Sequence, residues 1–161
     1  MFEFIKRRRK DDGSELDDIF VKAAAKPATL NADAFIYDAK RIVEAFLMAV
    51  MAQDASILPM RRMEEKFYND TVAAIRRDAS GCVRTCSFVE FKSFTVSDYD
   101  NSQQYAVRTI SYDGLYTASG CYGDGNILIP YEDKRLGTFT FLNDQRLGFV
   151  LSGHQDWGAR Q

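Results

Sequence analysis

The chain of 161 residues has a net charge of −2, and 46% of its residues are apolar and 13% aromatic. This composition is typical of one folded domain and excludes a disordered or fibrous chain, while the near balance of charge excludes nucleic acid as a partner. No window reaches the ~20 consecutive apolar residues of a membrane-spanning helix. Three cysteines are an odd number, which favours a reducing compartment, so the sequence predicts a cytoplasmic protein.

Residues 1–28 are predicted to be a charged, flexible tail, and residues 29–161 a single domain. A basic block at 6–10 is followed at once by an acidic block at 11–18, and opposed blocks of this kind are usually solvated. The alternative is contact with an anionic membrane or a partner protein, because apolar residues stand beside the basic ones. The residues of this alternative contact are Phe2, Phe4, Ile5, Lys6, Arg7, Arg8, Arg9 and Lys10.

The first half of the domain predicts two amphipathic helices. Apolar residues within 35–51 recur at steps of three and four, and Asn31 can cap the start of this first helix. The segment "QDAS" at 53–56 interrupts the pattern. A second helix is expected from about Pro59 to just before Gly81, since proline suits a first helical position and glycine a C-terminal cap.

The second half of the chain predicts strands. Segments 82–100 and 104–112 are rich in β-branched and aromatic residues that alternate with polar ones, and "DG" at 113–114 then predicts a tight turn or a bulge. Residues 135–153 predict two further strands joined around "NDQ" at 143–145. The expected fold is therefore α+β, with two N-terminal amphipathic helices packed on a strongly curved antiparallel sheet.

The segment "GCYGDGNILIPY" at 120–131 collects three glycines, an acid, a thiol and a phenol. It lacks the order of a dinucleotide-binding loop, the lysine of a phosphate-binding loop and the serine of a nucleophile elbow. Asp124 and Asn126 are too few ligands for calcium. Gly-Asp-Gly-Asn is favourable turn chemistry, because these residues tolerate positive φ. The segment is therefore predicted to be a turn between two strands.

A zinc site would have to use the three cysteines and the one histidine, and a C-x-x-x-C spacing is a poor match to the usual ligand patterns. Cys82 and Cys86 are more simply explained as small apolar residues on one face of a strand. The sequence therefore predicts no metal and no cofactor. The four residues considered for zinc are Cys82, Cys86, Cys121 and His154.

Catalysis would depend on carboxylates and phenols, because the single histidine lies close to the end of the chain, where side chains are usually mobile. A carboxyl group with a raised pKa beside a tyrosine could enolise a ketone in a pocket between helix and sheet. Cross-strand packing is the more common role of tyrosines in a β-rich domain. The weak catalytic candidates are Tyr68, Asp98 and Tyr112.

Three segments carry a resemblance to a known family. They are "IVEAFLMAVMAQDASILPMRRMEEKFYNDTVAAI" at 42–75, "VRTCSFVEFKSFTVSDYDNSQQYAVRTISY" at 83–112 and "GTFTFLNDQRLGFVLSGHQDW" at 137–157. Their pattern of helix, break, helix and bent strands resembles the cone-shaped fold of nuclear transport factor 2 and its relatives. Within that group it is most similar to the C-terminal domain of the scaffold subunit of the mitochondrial inner-membrane translocase, and to the bacterial counterparts of that domain.

The resemblance implies a binding or scaffolding module, and in some relatives a preceding segment recruits the domain to a membrane. We therefore expect a non-catalytic module, with a protein partner or a small apolar ligand in a cleft between helix and sheet. Peripheral membrane contact and a homodimer stay open. Because other relatives are isomerases and dehydratases, the alternative is a small pocket enzyme that uses a carboxylate–tyrosine pair.

Overall fold

The computed structural model describes residues 27–78, 83–100, 108–124, 126–144 and 146–159, with the backbone alone at 27–34 and 99–100. The predicted membrane or partner contact at residues 2–10 lies outside the described residues. So do Cys82 and the predicted cap at Gly81.

The chain divides into two compact units. One unit comprises Met1–Tyr37 and Asp98–Ile110, and the other comprises Asp38–Ser97 and Ser111–Gln161.

The order of elements confirms the predicted α+β fold, in which two helices precede a strongly curled antiparallel sheet. Within the described part of the chain, no helix combines the length and the hydropathy that a membrane crossing requires. The elements are α1 (Pro27–Ala52), α2 (Glu65–Asp78), β1 (Val83–Arg84), β2 (Phe88–Asp100), β3 (Thr109–Gly123), β4 (Leu128–Asp144) and β5 (Gly148–Ala159).

Helix α1 follows the predicted periodicity but begins at Pro27, earlier than the expected Asn31, in keeping with the preference of proline for a first helical position. It ends where the sequence pattern breaks, because Gln53 adopts a left-handed conformation with a φ of 55°. The predicted apolar stripe is buried in its middle and half-buried at its ends. Ala39, Ile42, Val43, Phe46 and Leu47 are buried, and Phe35, Val50 and Met51 are half-buried.

The predicted start of the second helix at Pro59 is wrong. Two short 3-10 turns occupy Ala55–Ile57 and Met60–Arg62, and α2 begins only at Glu65. Proline does stand at the edge of a helical turn, but that turn is three residues long and has no buried residue.

A contact with the sheet explains the late start of α2. Met63 is extended, with a φ of −121° and a ψ of 143°, and forms a parallel bridge with Leu151 of β5. The Glu64 amide donates to the Leu151 carbonyl at 2.8 Å. Glu64 Oε1 in turn accepts from the Phe67 amide at 3.0 Å, which satisfies one of the free donors at the start of the helix. Strand pairing thus takes precedence over helix extension here.

The strands follow the order β1-β3-β4-β5, and β2 also pairs with β3. β1 pairs with the end of β3 through Val83 with Gly123 and Arg84 with Tyr122. The predicted hairpin around 143–145 is confirmed, because β4 and β5 pair antiparallel on either side of it. Its turn is closed by Asp144 Oδ1, which accepts from the amides of Arg146 at 2.8 Å and Leu147 at 2.9 Å.

Of the two alternatives predicted for Asp113–Gly114, a tight turn or a bulge, the turn is wrong, because both residues lie inside β3. Gly114 is buried, and a Cβ at that position would lie 2.7 Å from Cε1 of Phe91. The glycine is therefore required for the close approach of an aromatic ring and not for a turn. Asp113 accepts a hydrogen bond from the Thr138 hydroxyl at 2.6 Å, so a cross-strand contact satisfies it.

Alternate residues of β3 point to a buried face and a half-buried face. Tyr112 lies on the buried face with no exposed surface, and it stacks on Phe94 with centroids 5.0 Å apart. Phe141 contacts Tyr112 in a T-shaped arrangement, with ring centroids 5.7 Å apart. These rings form the core of the sheet.

Candidate protein-binding surface

The glycine-rich segment is a turn between two strands, as the sequence predicts. β3 ends at Gly123 and β4 begins at Leu128. The Asp124 carboxylate accepts from the amides of Asn126 at 3.1 Å and Ile127 at 3.3 Å, and these bonds lower its pKa. A Cβ at Gly123 would lie 1.8 Å from the Ile127 carbonyl oxygen, so glycine is needed for the two strands to meet.

Large apolar side chains are exposed at this end of the sheet. Leu128 is 51% exposed, and Ile127 is exposed further, to 67%. Three of the exposed residues are consecutive in sequence and two lie in the paired ends of β1 and β3, so apolar side chains are exposed on both faces of this end of the sheet. Exposed apolar side chains grouped in this way commonly mark interaction sites. We call this group the hairpin surface; it consists of Val83, Tyr122, Ile127, Leu128 and Ile129.

Polar contacts behind the hairpin surface hold it in place. The Tyr131 hydroxyl donates to the Thr85 carbonyl at 2.7 Å, and the Arg84 guanidinium lies 4.8 Å from the centre of the Tyr131 ring. Arg84 Nε also donates to the carbonyl of Met51 in α1. Burial raises the pKa of Tyr131 to about 12, so the phenol keeps its proton at neutral pH. The surface therefore stands on a fixed support.

The prediction that Cys82 and Cys86 share one face of a strand is wrong for Cys86. Cys86 lies in the loop between β1 and β2, half-buried, with its thiol 3.6 Å from the Phe88 carbonyl. Burial raises the pKa of this thiol, which disfavours the reactive thiolate. Among the described residues no three His, Cys, Asp or Glu side chains form a group that could hold a metal ion.

The space between α1 and the buried face of β4 and β5 contains packed rings. His154 stacks on Phe139, with the two ring centroids 4.8 Å apart. Phe46 of α1 contacts His154 in a T-shaped arrangement, with ring centroids 5.3 Å apart. Phe46 also contacts Phe67 of α2, with ring centroids 5.5 Å apart. The one histidine is thus a ring of the core, although its place near the chain end suggested mobility. Burial lowers its pKa, and its Nε2 has no hydrogen-bond partner among the described residues.

The three catalytic candidates from the sequence lie in different settings. Tyr112 is wholly buried among rings, and Tyr68 is half-buried on α2. Asp98 is exposed on β2. Tyr112 packs on the rings of Phe94 and Phe141, and a catalytic role for any of the three residues stays a prediction.

Sequence reasoning missed a charged group beside the core. Arg135 pairs with Asp156 at 2.8 Å and with Asp133 at 3.6 Å. Burial first, and then the charge of Asp156, raise the pKa of Tyr116 to about 12. These residues come from three strands, and only the strand register, which a single sequence does not reveal, brings them together. Their arrangement is an ion-pair network over a neutral phenol.

A cleft of about 350 Å³ lies over β2, β3 and β4. Its volume is at the lower end for small-molecule sites. The lining combines apolar side chains with charges of both signs, which selects no single class of ligand. The lining residues are Glu90, Phe91, Lys92, Leu115, Tyr116, Thr117 and Lys134. The cleft between helix and sheet that the sequence suggested stays a prediction.

No family model matches this sequence, and no curated protein matches it. Solved structures do resemble the fold. The intermembrane space region of the chloroplast protein ARC6 is 13% identical, with a TM-score of 0.52, and the match covers 76% of this chain and 96% of that chain. CagV, a VirB8 homologue of the T4SS from Helicobacter pylori strain 26695, is 12% identical, with a TM-score of 0.47 and coverage of 75% and 99%.

The ARC6 likeness shows the fold alone. It agrees with the coarse part of the resemblance drawn from the sequence, an α+β fold with a curled antiparallel sheet. The narrower resemblance to the translocase scaffold family stays a prediction.

Proposed function

We propose that this domain is a non-catalytic protein-binding module that holds its partner on the hairpin surface. The observation that carries the proposal is the group of exposed apolar side chains at the β3–β4 turn. Their exposure to water is unfavourable by roughly 25 cal/mol for each Å² of apolar area, and a bound partner would remove that area from water. The fixed support formed by Tyr131 and Arg84 lowers the entropic cost of binding.

The packing of the interior supports a binding role over the alternative of a pocket enzyme. Such an enzyme needs a cavity with a desolvated carboxylate between helix and sheet. His154 instead contacts both Phe46 and Phe139 across this space. Cytoplasmic localisation, a homodimer and peripheral membrane contact stay predictions from the sequence.

A matched pair of leucines tests the proposal. Leu128 in the hairpin surface is 51% exposed, and Leu147 in the β4–β5 turn is 50% exposed. Leu128→Asp and Leu147→Asp therefore introduce the same charge at equally exposed sites. Neither change should alter the free energy of unfolding by more than about 0.5 kcal/mol, because both side chains are on the surface.

The measurement is affinity capture from the native lysate with the full chain, followed by quantitative mass spectrometry. We expect one set of proteins to be recovered with the unchanged chain and with Leu147→Asp, and to be lost with Leu128→Asp. Equal recovery by all three proteins would remove the hairpin surface as the binding site.

A further inference from the structure

Trp157 of β5 is held in place although its side chain is 49% exposed. Its indole Nε1 donates to the Thr138 hydroxyl of β4 at 2.7 Å, and that hydroxyl donates to Asp113 Oδ1 of β3 at 2.6 Å. The three residues thus form a hydrogen-bonded row across three neighbouring strands. The row lies on the face of the sheet away from the rings, because Tyr112 and Phe139, which adjoin it in sequence, are buried on the other face.

The backbone of β5 is adapted to this position. Between its pairs with Arg135 and Gly137 of β4, strand β5 has one residue more than β4, and such a bulge changes the direction of a side chain. The bulge contains Gly158, whose φ of 100° is one that glycine adopts without strain. Asp156 accepts from the Gly158 amide at 2.8 Å and from the Arg135 guanidinium at 2.8 Å. The direction of Trp157 is therefore fixed by its backbone as well as by its indole nitrogen.

A purely structural role explains the hydrogen bond of Trp157 but not its exposed ring. Leaving apolar ring surface in water is unfavourable, and a partner that covers the ring removes that cost. A ring that is already held in one position also loses little conformational entropy when it binds. Tryptophan is for these reasons common among the residues that dominate protein interfaces.

The chemistry around the ring favours a cation. The face of an indole ring carries the negative part of its quadrupole. One hydroxyl group separates the indole nitrogen from the Asp113 carboxylate, and a carboxylate can accept several hydrogen bonds. A guanidinium group suits both features, because its planar face stacks on an aromatic ring while its edge donates to a carboxylate.

We propose that Trp157, Thr138 and Asp113 bind an arginine side chain of a partner protein. The guanidinium group stacks on the indole ring and donates to the Asp113 carboxylate, and Thr138 positions the ring. We call these three residues the tryptophan site. The site shares no residue with the hairpin surface, so this inference goes beyond the proposed function and does not depend on it.

The fluorescence of Trp157 reports on the site directly, because the chain contains no other tryptophan. The full chain is titrated at low salt with the blocked tripeptide Gly-Arg-Gly and, separately, with blocked Gly-citrulline-Gly. Citrulline has nearly the shape of arginine but carries no charge. We expect the arginine peptide to change the emission in a saturable way. The citrulline peptide should bind at least about tenfold more weakly, because it loses the cation–π contact and the charge on the hydrogen bond.

A matched pair of variants separates the charge of Asp113 from its structural role. Asp113→Asn keeps a side-chain oxygen that can accept from Thr138 and removes the negative charge. Glu132→Gln removes the same charge from an exposed position further along β4. We expect Asp113→Asn to weaken binding of the arginine peptide about five- to tenfold, and Glu132→Gln to leave it unchanged.

Equal affinity of the unchanged chain for the arginine and citrulline peptides would overturn the proposal, whatever the variants do. An equal loss of binding in Asp113→Asn and Glu132→Gln would also overturn it, because the attraction would then be nonspecific. The other occupant is the chain itself, since Arg160 follows Trp157 closely in the sequence. A shifted emission and tighter peptide binding in Arg160→Gln would assign the site to this arginine and overturn its assignment to a partner.

Discussion

Replacing Gly137 with alanine should destabilise the protein, because this glycine of β4 faces two packed rings. A Cβ at position 137 would lie 3.0 Å from Cζ of Phe139 and 3.2 Å from Nε2 of His154. Carbon atoms in favourable contact are about 3.5–4.0 Å apart, so both rings would have to move. His154 is held between Phe139 and Phe46, which leaves little room for that movement.

Gly153 provides the matched control. It pairs with Thr140 in the same two strands, and the nearest atom to its added Cβ would be the Thr140 Cβ at 3.8 Å, an ordinary contact. Both changes reduce the entropy of the unfolded chain equally, by about 0.4–1 kcal/mol, so that effect cancels in the comparison. Overpacking typically costs about 1–3 kcal/mol. Gly137→Ala should therefore be less stable than Gly153→Ala by about 1–3 kcal/mol.

The assay is thermal unfolding followed by circular dichroism, with urea denaturation to obtain the free energy of unfolding. For a chain of this size, 1 kcal/mol corresponds to about 3 °C, so the two melting temperatures should differ by about 3–9 °C. Equal melting temperatures would show that the rings yield to the added methyl group. The packing of His154 against Gly137 would then be looser than the distances indicate.

Three further predictions concern the histidine, a thiol and the N-terminal segment. Because burial lowers the pKa of His154, the unfolded chain binds a proton that the folded chain does not, and the free energy of unfolding should decrease below about pH 6.5. Urea denaturation at pH 7.5 and 5.5 measures this, and a decrease of the same size in His154→Phe would refute it. Iodoacetamide should alkylate Cys86 slowly until the protein unfolds, as measured by peptide mass spectrometry; rapid labelling of the folded chain would contradict its raised pKa. Deletion of residues 1–26 should leave the melting temperature unchanged and abolish salt-sensitive co-sedimentation with anionic vesicles, and a large fall in melting temperature would place this segment in the core.

Local chemistry determined several features that could be predicted from the sequence. The apolar periodicity of α1 identified a stripe that is buried, because a helix must place those positions on one face. Asp124 and Asp144 both close turns between strands by accepting two backbone amides, which is a property of the residue and its immediate neighbours. The sequence contains a signal for the hairpin surface, because the apolar residues Ile127, Leu128 and Ile129 directly follow the predicted turn. Turn chemistry alone did not indicate that these residues are exposed.

Contacts between distant segments decided the rest. Asp-Gly is favourable turn chemistry, yet Gly114 lies within a strand. The Phe91 ring fills the space that a side chain at position 114 would need. The start of α2 is delayed because Met63 and Glu64 pair with Leu151, far along the chain. The sequence by itself determined the helical periodicity, the turns and the α+β class, since these depend on residues a few positions apart. Tertiary structure alone decided register, strand overlap and ring packing, because these depend on which distant segments meet.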